Sequence, residues 1–151
     1  MLTRKHVVPP LAGKGHLTLD EADLKHWGRD LGEATVAPLV ISISGELGAG
    51  KTTLAQSICG GYGVSEPVTS PTYALVHRYE AEKSPVYHID LYRLDNESQL
   101  TNIGWDDILS ERALVIVEWP ERAGDRMPGD QLHIELDYAP GDDSRRILLA
   151  G

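Results

Sequence analysis

The spacing of hydrophobic residues predicts a chain that alternates between β-strands and helices. Residues 38–44 and 113–118 are apolar runs suited to strands buried on both faces, as in the centre of a parallel sheet. Residues 131–138 instead alternate apolar and polar side chains, which is typical of an antiparallel strand with one exposed face. Shorter strands are predicted at residues 16–19, 73–79, 86–90 and 145–150.

Helical periodicity occupies three of the segments between these strands. Asp20 is suited to cap a first helix, whose apolar stripe extends to about residue 34. A second helix is expected at residues 51–60, where a pair of glycines would end it. Residues 96–109 are expected to form a third helical region in two pieces around Gly104. The pattern therefore predicts a three-layer α/β domain at residues 16–151, preceded by an irregular lead-in at residues 1–15.

Composition and charge narrow the classes of function. The chain has 151 residues, with 14 Lys and Arg against 23 Asp and Glu, and its net charge is −9. Proteins that bind nucleic acid without a partner protein usually present a basic face. Direct binding of this chain to RNA is therefore not expected. Cys59 is the single cysteine, which excludes an intrachain disulfide and favours a small buried residue. No signal peptide or membrane-spanning stretch is recognised, so the cytoplasm is the expected compartment.

A glycine-rich motif follows the first buried strand. It fits the pattern G-x-x-x-x-G-K-[ST] in full, and it lies between an apolar strand and a helix. Its glycines allow backbone N–H groups to approach phosphate oxygens, and the helix that follows adds its N-terminal dipole. Lys51 is expected to reach the β- and γ-phosphates of a nucleotide, and the hydroxyl of Thr52 to bind Mg²⁺. The motif comprises Gly45, Glu46, Leu47, Gly48, Ala49, Gly50, Lys51 and Thr52, with Thr53 directly after it.

Two further strands end in a carboxylate. Asp90 ends the strand at residues 86–90, and Glu118 ends the strand at residues 113–118. In a parallel sheet these ends lie on the same edge as the glycine-rich loop, where ligands bind. Glu118 is favoured as the carboxylate on the magnesium side, directly or through water. Asp90 is the second candidate, for the metal or for the attacking water. Together these features predict a P-loop NTPase domain with a mixed, mostly parallel central sheet and antiparallel C-terminal strands, using ATP and Mg²⁺.

Four sequence blocks, in this order and spacing, resemble the bacterial TsaE family. They are Gly-Glu-Leu-Gly-Ala-Gly-Lys-Thr-Thr-Leu at 45–54, Ser-Pro-Thr-Tyr at 70–73, Tyr-His-Ile-Asp-Leu-Tyr-Arg-Leu at 87–94 and Val-Glu-Trp-Pro-Glu-Arg at 117–122. The resemblance implies an ATPase that supports threonylcarbamoyladenosine synthesis in tRNA, at the adenosine beside the anticodon. The implied partners are a transferase subunit and its companion subunit, which would contact the tRNA. Hydrolysis would be slow alone and faster in the complex.

The same resemblance implies roles for individual residues. Lys51, Asp90 and Glu118 would belong to the catalytic group together with Thr72, which lies in a loop at residues 70–72 that senses the γ-phosphate. Trp119 would lie beside the nucleotide, although simple packing explains a tryptophan there equally well. Residues 18–21, including Glu21, would line the adenine pocket. An arginine contact from the last hairpin has no clear match in this sequence.

Three other functions are known for proteins that carry a glycine-rich loop of this kind. A small-molecule kinase needs a lid and an acceptor pocket, and no lid insertion is recognised in the sequence. A GTPase usually has an Asn-Lys-x-Asp stretch, which is absent. The third alternative is a scaffold that binds ATP without useful hydrolysis, and the sequence is also compatible with it. The six histidines show no metal-binding spacing, and His77 and His88 are expected on strand surfaces.

Overall fold

The computed structural model describes residues 16–71 and 74–151 of the chain. Within these residues, seven strands form one sheet in the spatial order β1-β7-β6-β2-β5-β4-β3. The lead-in predicted at residues 1–15 lies outside the described residues. The strands are His16–Leu19 (β1), Leu39–Ser44 (β2), Val76–Tyr79 (β3), Val86–Asp90 (β4), Leu114–Glu118 (β5), Leu132–Ala139 (β6) and Asp142–Ala150 (β7).

The centre of the sheet is parallel and its margins are antiparallel. Strands β6, β2, β5 and β4 run parallel, whereas β3 pairs with β4, β7 with β6, and β1 with β7 in the antiparallel sense. This confirms the predicted mixed sheet. The antiparallel pairing predicted for residues 131–138 is confirmed between β6 and β7. It is wrong between β6 and β2, which run parallel. Alternating side chains show that one face of a strand is exposed, but they do not fix the direction of its neighbour.

One predicted strand is shorter than expected. The sequence predicts a strand at residues 73–79, of which residue 73 lies outside the described residues, yet β3 begins at Val76. Leu75 has φ of 70°, in the left-handed region, so the backbone turns there instead of extending. A local turn of this kind overrides the strand preference of the residues around it.

The helices occupy both faces of the sheet. Asp20 caps α1 as predicted, because its side chain accepts a hydrogen bond of 2.8 Å from the backbone N–H of Asp23. Gly104 separates α3 from α4, which confirms the two-piece prediction. None of the described helices is long and apolar enough to span a membrane. The helices are Glu21–Ala34 (α1), Lys51–Tyr62 (α2), Ser98–Asn102 (α3) and Trp105–Ser110 (α4), and a 3₁₀ segment covers Pro120–Arg126.

Two apolar clusters, one on each face, make the three layers. The first joins α1 and α2 to β2, β5, β6 and β7, with Leu31, Ile58 and Ile134 among its fully buried members. The second joins α3, α4 and the 3₁₀ segment to β4 and β5, with Trp105 and Val117 among its fully buried members. Burial of both faces of β5 explains its unbroken apolar run. The predicted three-layer architecture is therefore confirmed.

The end predicted for α2 is wrong, because its glycines allow close packing against α1 and do not end the helix. The helix continues through Gly60 and Gly61 to Tyr62 and ends at Gly63, whose φ is 113°. A Cβ on Gly61 would lie 2.1 Å from the carbonyl oxygen of Arg29 in α1. On the facing helix, a Cβ on Gly32 would lie 2.1 Å from the carbonyl oxygen of Ile58. These glycines let the two helix backbones approach closely.

Candidate nucleotide-binding site

The P-loop connects β2 to α2 through a backbone that glycine permits. Gly45 has φ of 146°, and a Cβ there would lie 1.9 Å from the carbonyl oxygen of Leu136 in β6. Gly50 has φ of 106° and occupies the position before the first residue of α2. Both conformations are unfavourable for residues with a side chain. The loop is therefore held tightly against the sheet by the glycines that the motif requires.

The N-terminus of α2 forms the anion-binding part of the loop. The helix begins at Lys51 and has no side chain at its capping position, since Gly50 stands there. The first N–H groups of a helix lack partners within the helix, and the helix dipole favours negative charge at this end. The loop therefore offers backbone donors to phosphate oxygens.

Lys51 is buried at the base of the loop. Its Nζ donates hydrogen bonds of 2.7 Å to the carbonyl oxygens of Gly45 and Glu46, and it lies 4.2 Å from the centroid of the Trp119 ring. The side chain is 4% exposed. Burial lowers the pKa of the Lys51 ammonium from its usual value, and the negative charge of Glu118 acts in the opposite direction. A cation in this position is well placed to neutralise phosphate charge.

Glu118 joins the P-loop to the neighbouring strands. The hydroxyl of Thr52 donates toward both carboxylate oxygens of Glu118, at 3.0 and 3.1 Å. On its other side, Oε2 of Glu118 lies 2.6 Å from Nε2 of His88. The side chains of Glu118 and His88 are 2% and 0% exposed. The three residues form one polar chain, buried at Glu118 and His88, that holds the carboxylate beside Thr52.

Asp90 lies next to Glu118 in the sheet. The two residues are paired in the parallel register of β4 and β5, as the sequence predicted for two acids at one sheet edge. Oδ1 of Asp90 accepts a hydrogen bond of 3.0 Å from the backbone N–H of Tyr92. Asp90 is 5% exposed, and it lines the same cleft as Lys51.

A cleft of about 430 Å³ opens over these groups. Trp119 contributes one wall, where it has φ of 59° and packs against the ring of Tyr92 with 5.0 Å between centroids. Trp119 thus both packs and faces the candidate site, so the two expectations for it are compatible. Thr72 lies outside the described residues. The cleft is lined by Leu47, Gly48, Gly50, Lys51, Thr52, Thr53, Ser70, Asp90, Tyr92, Arg93, Glu118 and Trp119.

A second cavity, of about 380 Å³, lies on the other side of the P-loop. Glu21 lines it, as do Ala49, Gly50 and Thr53. Arg146 reaches this cavity from β7, and its Nε donates a hydrogen bond of 2.7 Å to the carbonyl oxygen of Ala49. The sequence showed no clear arginine contact from the last hairpin. The antiparallel return of β7 beside β6 brings Arg146 to the backbone of the P-loop, and this contact depends on a pairing between distant segments that the sequence pattern does not show.

Gly45 and Glu46 contribute backbone groups to hydrogen bonds of the loop. Their carbonyl groups accept from Lys51, and the backbone N–H of Glu46 donates to Oδ1 of Asp137 at 3.2 Å. These two residues therefore shape the loop through its backbone hydrogen bonds. The remaining residues of the motif each line at least one of the two cavities, and Gly48 and Gly50 line both.

The oxygen donors at the cleft fit a magnesium ion. Thr52 and Glu118 bring a hydroxyl and a carboxylate together, and Mg²⁺ prefers such hard oxygen ligands. Magnesium usually takes its other ligands from water and substrate phosphates, so two side chains are sufficient. Among the described residues, no group of three or more His, Cys, Asp or Glu side chains could hold a metal. The donor set therefore suits a metal bound together with a phosphate.

The prediction that His88 lies on the surface of a strand is wrong. Its side chain is fully buried and contacts Glu118, whereas His77 on β3 is partly exposed as predicted. The signal was present in the spacing, because His88 and Asp90 are two residues apart on one strand and share a face. A histidine on the face that bears a site acid is a candidate partner for the neighbouring acid.

Comparisons with known proteins identify a family for this chain. A family model described as "Threonylcarbamoyl adenosine biosynthesis protein TsaE" matches residues 18–147. Two similar proteins are both named "tRNA threonylcarbamoyladenosine biosynthesis protein TsaE". The protein from Nostoc sp. is 38% identical over 130 residues, which cover 84% of this chain and 78% of that protein. The one from Mycobacterium tuberculosis is 38% identical over 145 residues, covering 89% and 86%.

A solved structure has the same fold. The crystal structure of Bacillus subtilis YdiB superposes with a TM-score of 0.69 at 27% identity, covering 90% of this chain and 85% of that one. The family model spans most of the chain, including the P-loop and the strand ends that bear Asp90 and Glu118. The chain belongs to the TsaE family.

Proposed function

We propose that this chain is a magnesium-dependent ATPase that supports threonylcarbamoyladenosine modification of tRNA at the adenosine beside the anticodon. It would act on a transferase subunit and its companion, in the cytoplasm. The observation that supports it most is the contact between the Thr52 hydroxyl and both oxygens of Glu118, beside a P-loop lysine. Similar proteins carry names that refer to this tRNA modification.

The proposed roles follow from the contacts in the cleft. The N–H groups at the start of α2 and the ammonium of Lys51 bind the phosphates, and Trp119 limits where Lys51 can move. Thr52 and Glu118 hold the metal, directly or through water for Glu118. When bound, Mg²⁺ neutralises charge on the β- and γ-phosphates. His88 keeps one oxygen of Glu118 in a fixed position.

Asp90 is the proposed group for orienting the attacking water. Its carboxylate lies beside Glu118 at the end of β4 and borders the cleft. In the reaction, the water oxygen bonds to the γ-phosphorus while the bond from the γ-phosphorus to the bridging oxygen breaks, giving ADP and phosphate. Asp90 accepts a hydrogen bond from that water and aligns it for attack.

The charge of the chain supports an indirect route to tRNA. A protein with net charge −9 repels the RNA backbone, so the companion subunits are the proposed holders of the nucleic acid. The proposed ATPase then changes the state of that complex between turnovers. A low rate in isolation, raised by the partners, is the expected behaviour.

The ATPase part is tested with the purified chain. ATP is titrated calorimetrically with and without Mg²⁺, and phosphate release is measured for Glu118→Gln and Asp90→Asn beside the wild type. Both variants are expected to bind ATP and to lose most turnover, while the exposed Glu82→Gln serves as a matched control. Wild-type rates in both cleft variants would reject these roles. Binding without phosphate release, even in the presence of the partners, would favour a nucleotide-gated scaffold.

The tRNA part is tested in cells. The gene is deleted or depleted, and total tRNA is digested to nucleosides and analysed by mass spectrometry. Loss of threonylcarbamoyladenosine is expected, with restoration by the wild-type gene and not by Glu118→Gln. A normal level of the modified nucleoside in the deleted strain would reject this role.

A further inference from the structure

One side of the sheet is only partly covered by the described residues. The apolar cluster beneath α3, α4 and the 3₁₀ segment includes side chains of β3, β4, β5 and β2, and none from β6 or β7. Strands β2 and β6 are a parallel pair, and parallel strands are normally covered on both faces. The face of β2, β6 and β7 that points away from α1 and α2 is called the open face below.

The residues of the open face follow from strand register. Core residues such as Ile43, Ile134 and Leu148 point toward α1 and α2, so their neighbours along each strand point the other way. Ser44 pairs with Glu135, and Glu135 pairs with Leu149 on its other side. A carboxylate therefore lies between a hydroxyl and an apolar side chain in one row across three strands. Leu149 is 42% exposed, which is unusual for a large apolar residue among those that the structure describes.

A groove crosses this face. One cavity of about 530 Å³ and a second of about 220 Å³ share His133 and Glu135 in their linings. The two cavities are lined by the acids Glu121 and Glu135 together with apolar residues, and no lysine or arginine among the described residues lines either one. The larger cavity is lined by Ser44, Pro120, Glu121, Met127, Gln131, His133 and Glu135, and the smaller adds Leu149, Ala150 and Gly151.

The floor of the groove is ordered by hydrogen bonds. Nδ1 of His133 lies 2.7 Å from the hydroxyl of Ser42, and Nε2 lies 3.2 Å from the hydroxyl of Ser44. Oε1 of Gln131 is buried at the groove, and no donor among the described residues reaches it. A buried acceptor without a partner is costly, and this oxygen is too enclosed to face a ligand in the groove. The groove thus offers acceptors and apolar walls.

We propose that the open face is a docking surface for a protein segment that carries a lysine or arginine flanked by apolar residues. The cation would lie between Glu121 and Glu135, and an apolar side chain would pack on Leu149 or Met127. Such side chains combine an apolar stem with donors only, which complements this groove. The inference deepens the proposed function, because it assigns a surface to the partner transferase subunits.

A second copy of this chain fits the groove poorly. The chain carries net charge −9, and two acidic faces brought together repel each other. A basic partner segment would instead be attracted, and this attraction would weaken with salt.

The groove is also close to the nucleotide site along the chain. Ser44 directly precedes Gly45 of the P-loop, and Pro120 and Glu121 follow Trp119. A partner seated in the groove therefore contacts both segments that shape the cleft. This provides a physical route by which partner binding would change the rate of hydrolysis.

The test uses the full chain and the two transferase subunits of the same organism, purified as a pair. Binding of wild type, Glu135→Lys and Leu149→Ser is measured by biolayer interferometry at two salt concentrations. The controls are Glu82→Lys, an exposed residue in the β3–β4 connection, and Val36→Ser, which is 67% exposed between α1 and β2. Away from the groove, Glu82→Lys makes the same change as Glu135→Lys, and Val36→Ser likewise replaces an exposed apolar side chain by a hydroxyl. Thermal unfolding confirms that all five proteins are folded.

We expect Glu135→Lys to weaken binding by about tenfold or more and to reduce its dependence on salt. Leu149→Ser should weaken binding less, with an unchanged salt dependence. Both variants should keep the basal ATPase rate, and both controls should bind as the wild type does.

Wild-type affinity in both groove variants would overturn the docking surface while leaving the proposed ATPase function intact. Absence of binding by the wild type would reject the partner assignment and the docking surface together. Self-association of the chain that is lost in Glu135→Lys would identify a second copy as the occupant, and would overturn the inference. Weaker binding after deletion of residues 2–15, combined with no effect of Glu135→Lys, would overturn it as well.

Discussion

Nε2 of His88 lies 2.6 Å from Oε2 of Glu118, and both side chains are almost fully buried. The parallel register of β4 and β5 produces this contact, since His88 pairs with Ile116 and Glu118 is two residues further on the same face. A proton must lie between two atoms this close, because two lone pairs would repel. His88 thus fixes the carboxylate that Thr52 also contacts, without reaching the cleft itself.

Replacing His88 should therefore weaken the response to magnesium. Groups that orient a metal ligand typically contribute tenfold to 100-fold to metal affinity, so His88→Ala is expected to raise the Mg²⁺ concentration for half-maximal phosphate release by about tenfold or more. Removing one member of a buried polar pair should also lower the free energy of unfolding by about 2–4 kcal/mol. Magnesium titrations and urea unfolding measure the two effects.

Two further variants separate positioning from simple folding. His88→Gln retains an N–H donor and should recover part of the magnesium response, whereas His77→Ala changes a partly exposed histidine on the adjacent strand and should leave it unchanged. If His88→Ala showed a magnesium midpoint equal to that of the wild type, His88 would have no positioning role.

Lys51→Ala should remove most of the affinity for ATP. Its ammonium contributes charge-assisted hydrogen bonds to phosphate, worth about 2–3 kcal/mol, or roughly 30-fold to 150-fold in Kd. Calorimetric titration of ATP with Mg²⁺ measures the loss. Lys83→Ala is the control, because Lys83 donates to the carbonyl oxygens of Glu33 and Thr35 at the end of α1, far from the P-loop. Equal affinities for ATP in the two variants would contradict the assignment.

The parts of the structure that the sequence predicted are those determined by local pattern. The buried runs that became β2 and β5 needed only their apolar residues, and the cap at Asp20 needed only the residues within one helical turn. The P-loop was recognisable because its chemistry requires particular residues at fixed spacing. Asp90 and Glu118 could be placed at one edge because parallel strands end together.

The parts that the sequence did not reveal depend on contacts between distant segments. Burial of His88 requires β5 beside β4, and the contact of Arg146 with Ala49 requires β7 folded back along β6. The open face depends on which strands the 3₁₀ segment covers. The sequence predicts a helix end at Gly61 because glycine commonly ends helices. In the structure, glycine is needed there because the backbone of α1 lies too close for a side chain.

The glycines between α1 and α2 should be intolerant of alanine. In Gly32→Ala or Gly61→Ala the new methyl would lie 2.1 Å from a backbone carbonyl oxygen, so the helices must separate. Overpacking of this kind costs about 1–3 kcal/mol or more, which exceeds the gain of about 1 kcal/mol in helix propensity. Differential scanning calorimetry should show a lower Tm for both variants.

Gly129→Ala is the matched control for these glycine variants. A Cβ at Gly129 meets nothing within 4 Å, so its free energy of unfolding should change by no more than about 0.5 kcal/mol. If Gly32→Ala and Gly61→Ala unfolded at the wild-type temperature, the close approach of α1 and α2 would not be required for stability.

Cys59 should be inert to alkylation in the folded protein. The thiol is fully buried on α2, and burial raises its pKa from 9.0 to about 12. Because the thiolate is the reactive form, iodoacetamide at pH 8 should modify the native chain very slowly and the urea-unfolded chain readily. Mass spectrometry over time measures both rates, and rapid modification of the native protein would contradict the burial of this thiol.

The same shift of pKa makes stability depend on pH. Between pH 9 and about 12 the unfolded chain loses the Cys59 proton while the folded chain retains it. The unfolded state then binds fewer protons, so the free energy of unfolding falls as pH rises in that window, by at most about 1.4 kcal/mol per unit. Other groups titrate there too, so the measurement compares wild type with Cys59→Ala in urea at pH 8 and pH 10.5. The stability of the wild type relative to Cys59→Ala should be lower at pH 10.5, and a constant difference would mean that the thiol titrates alike in both states.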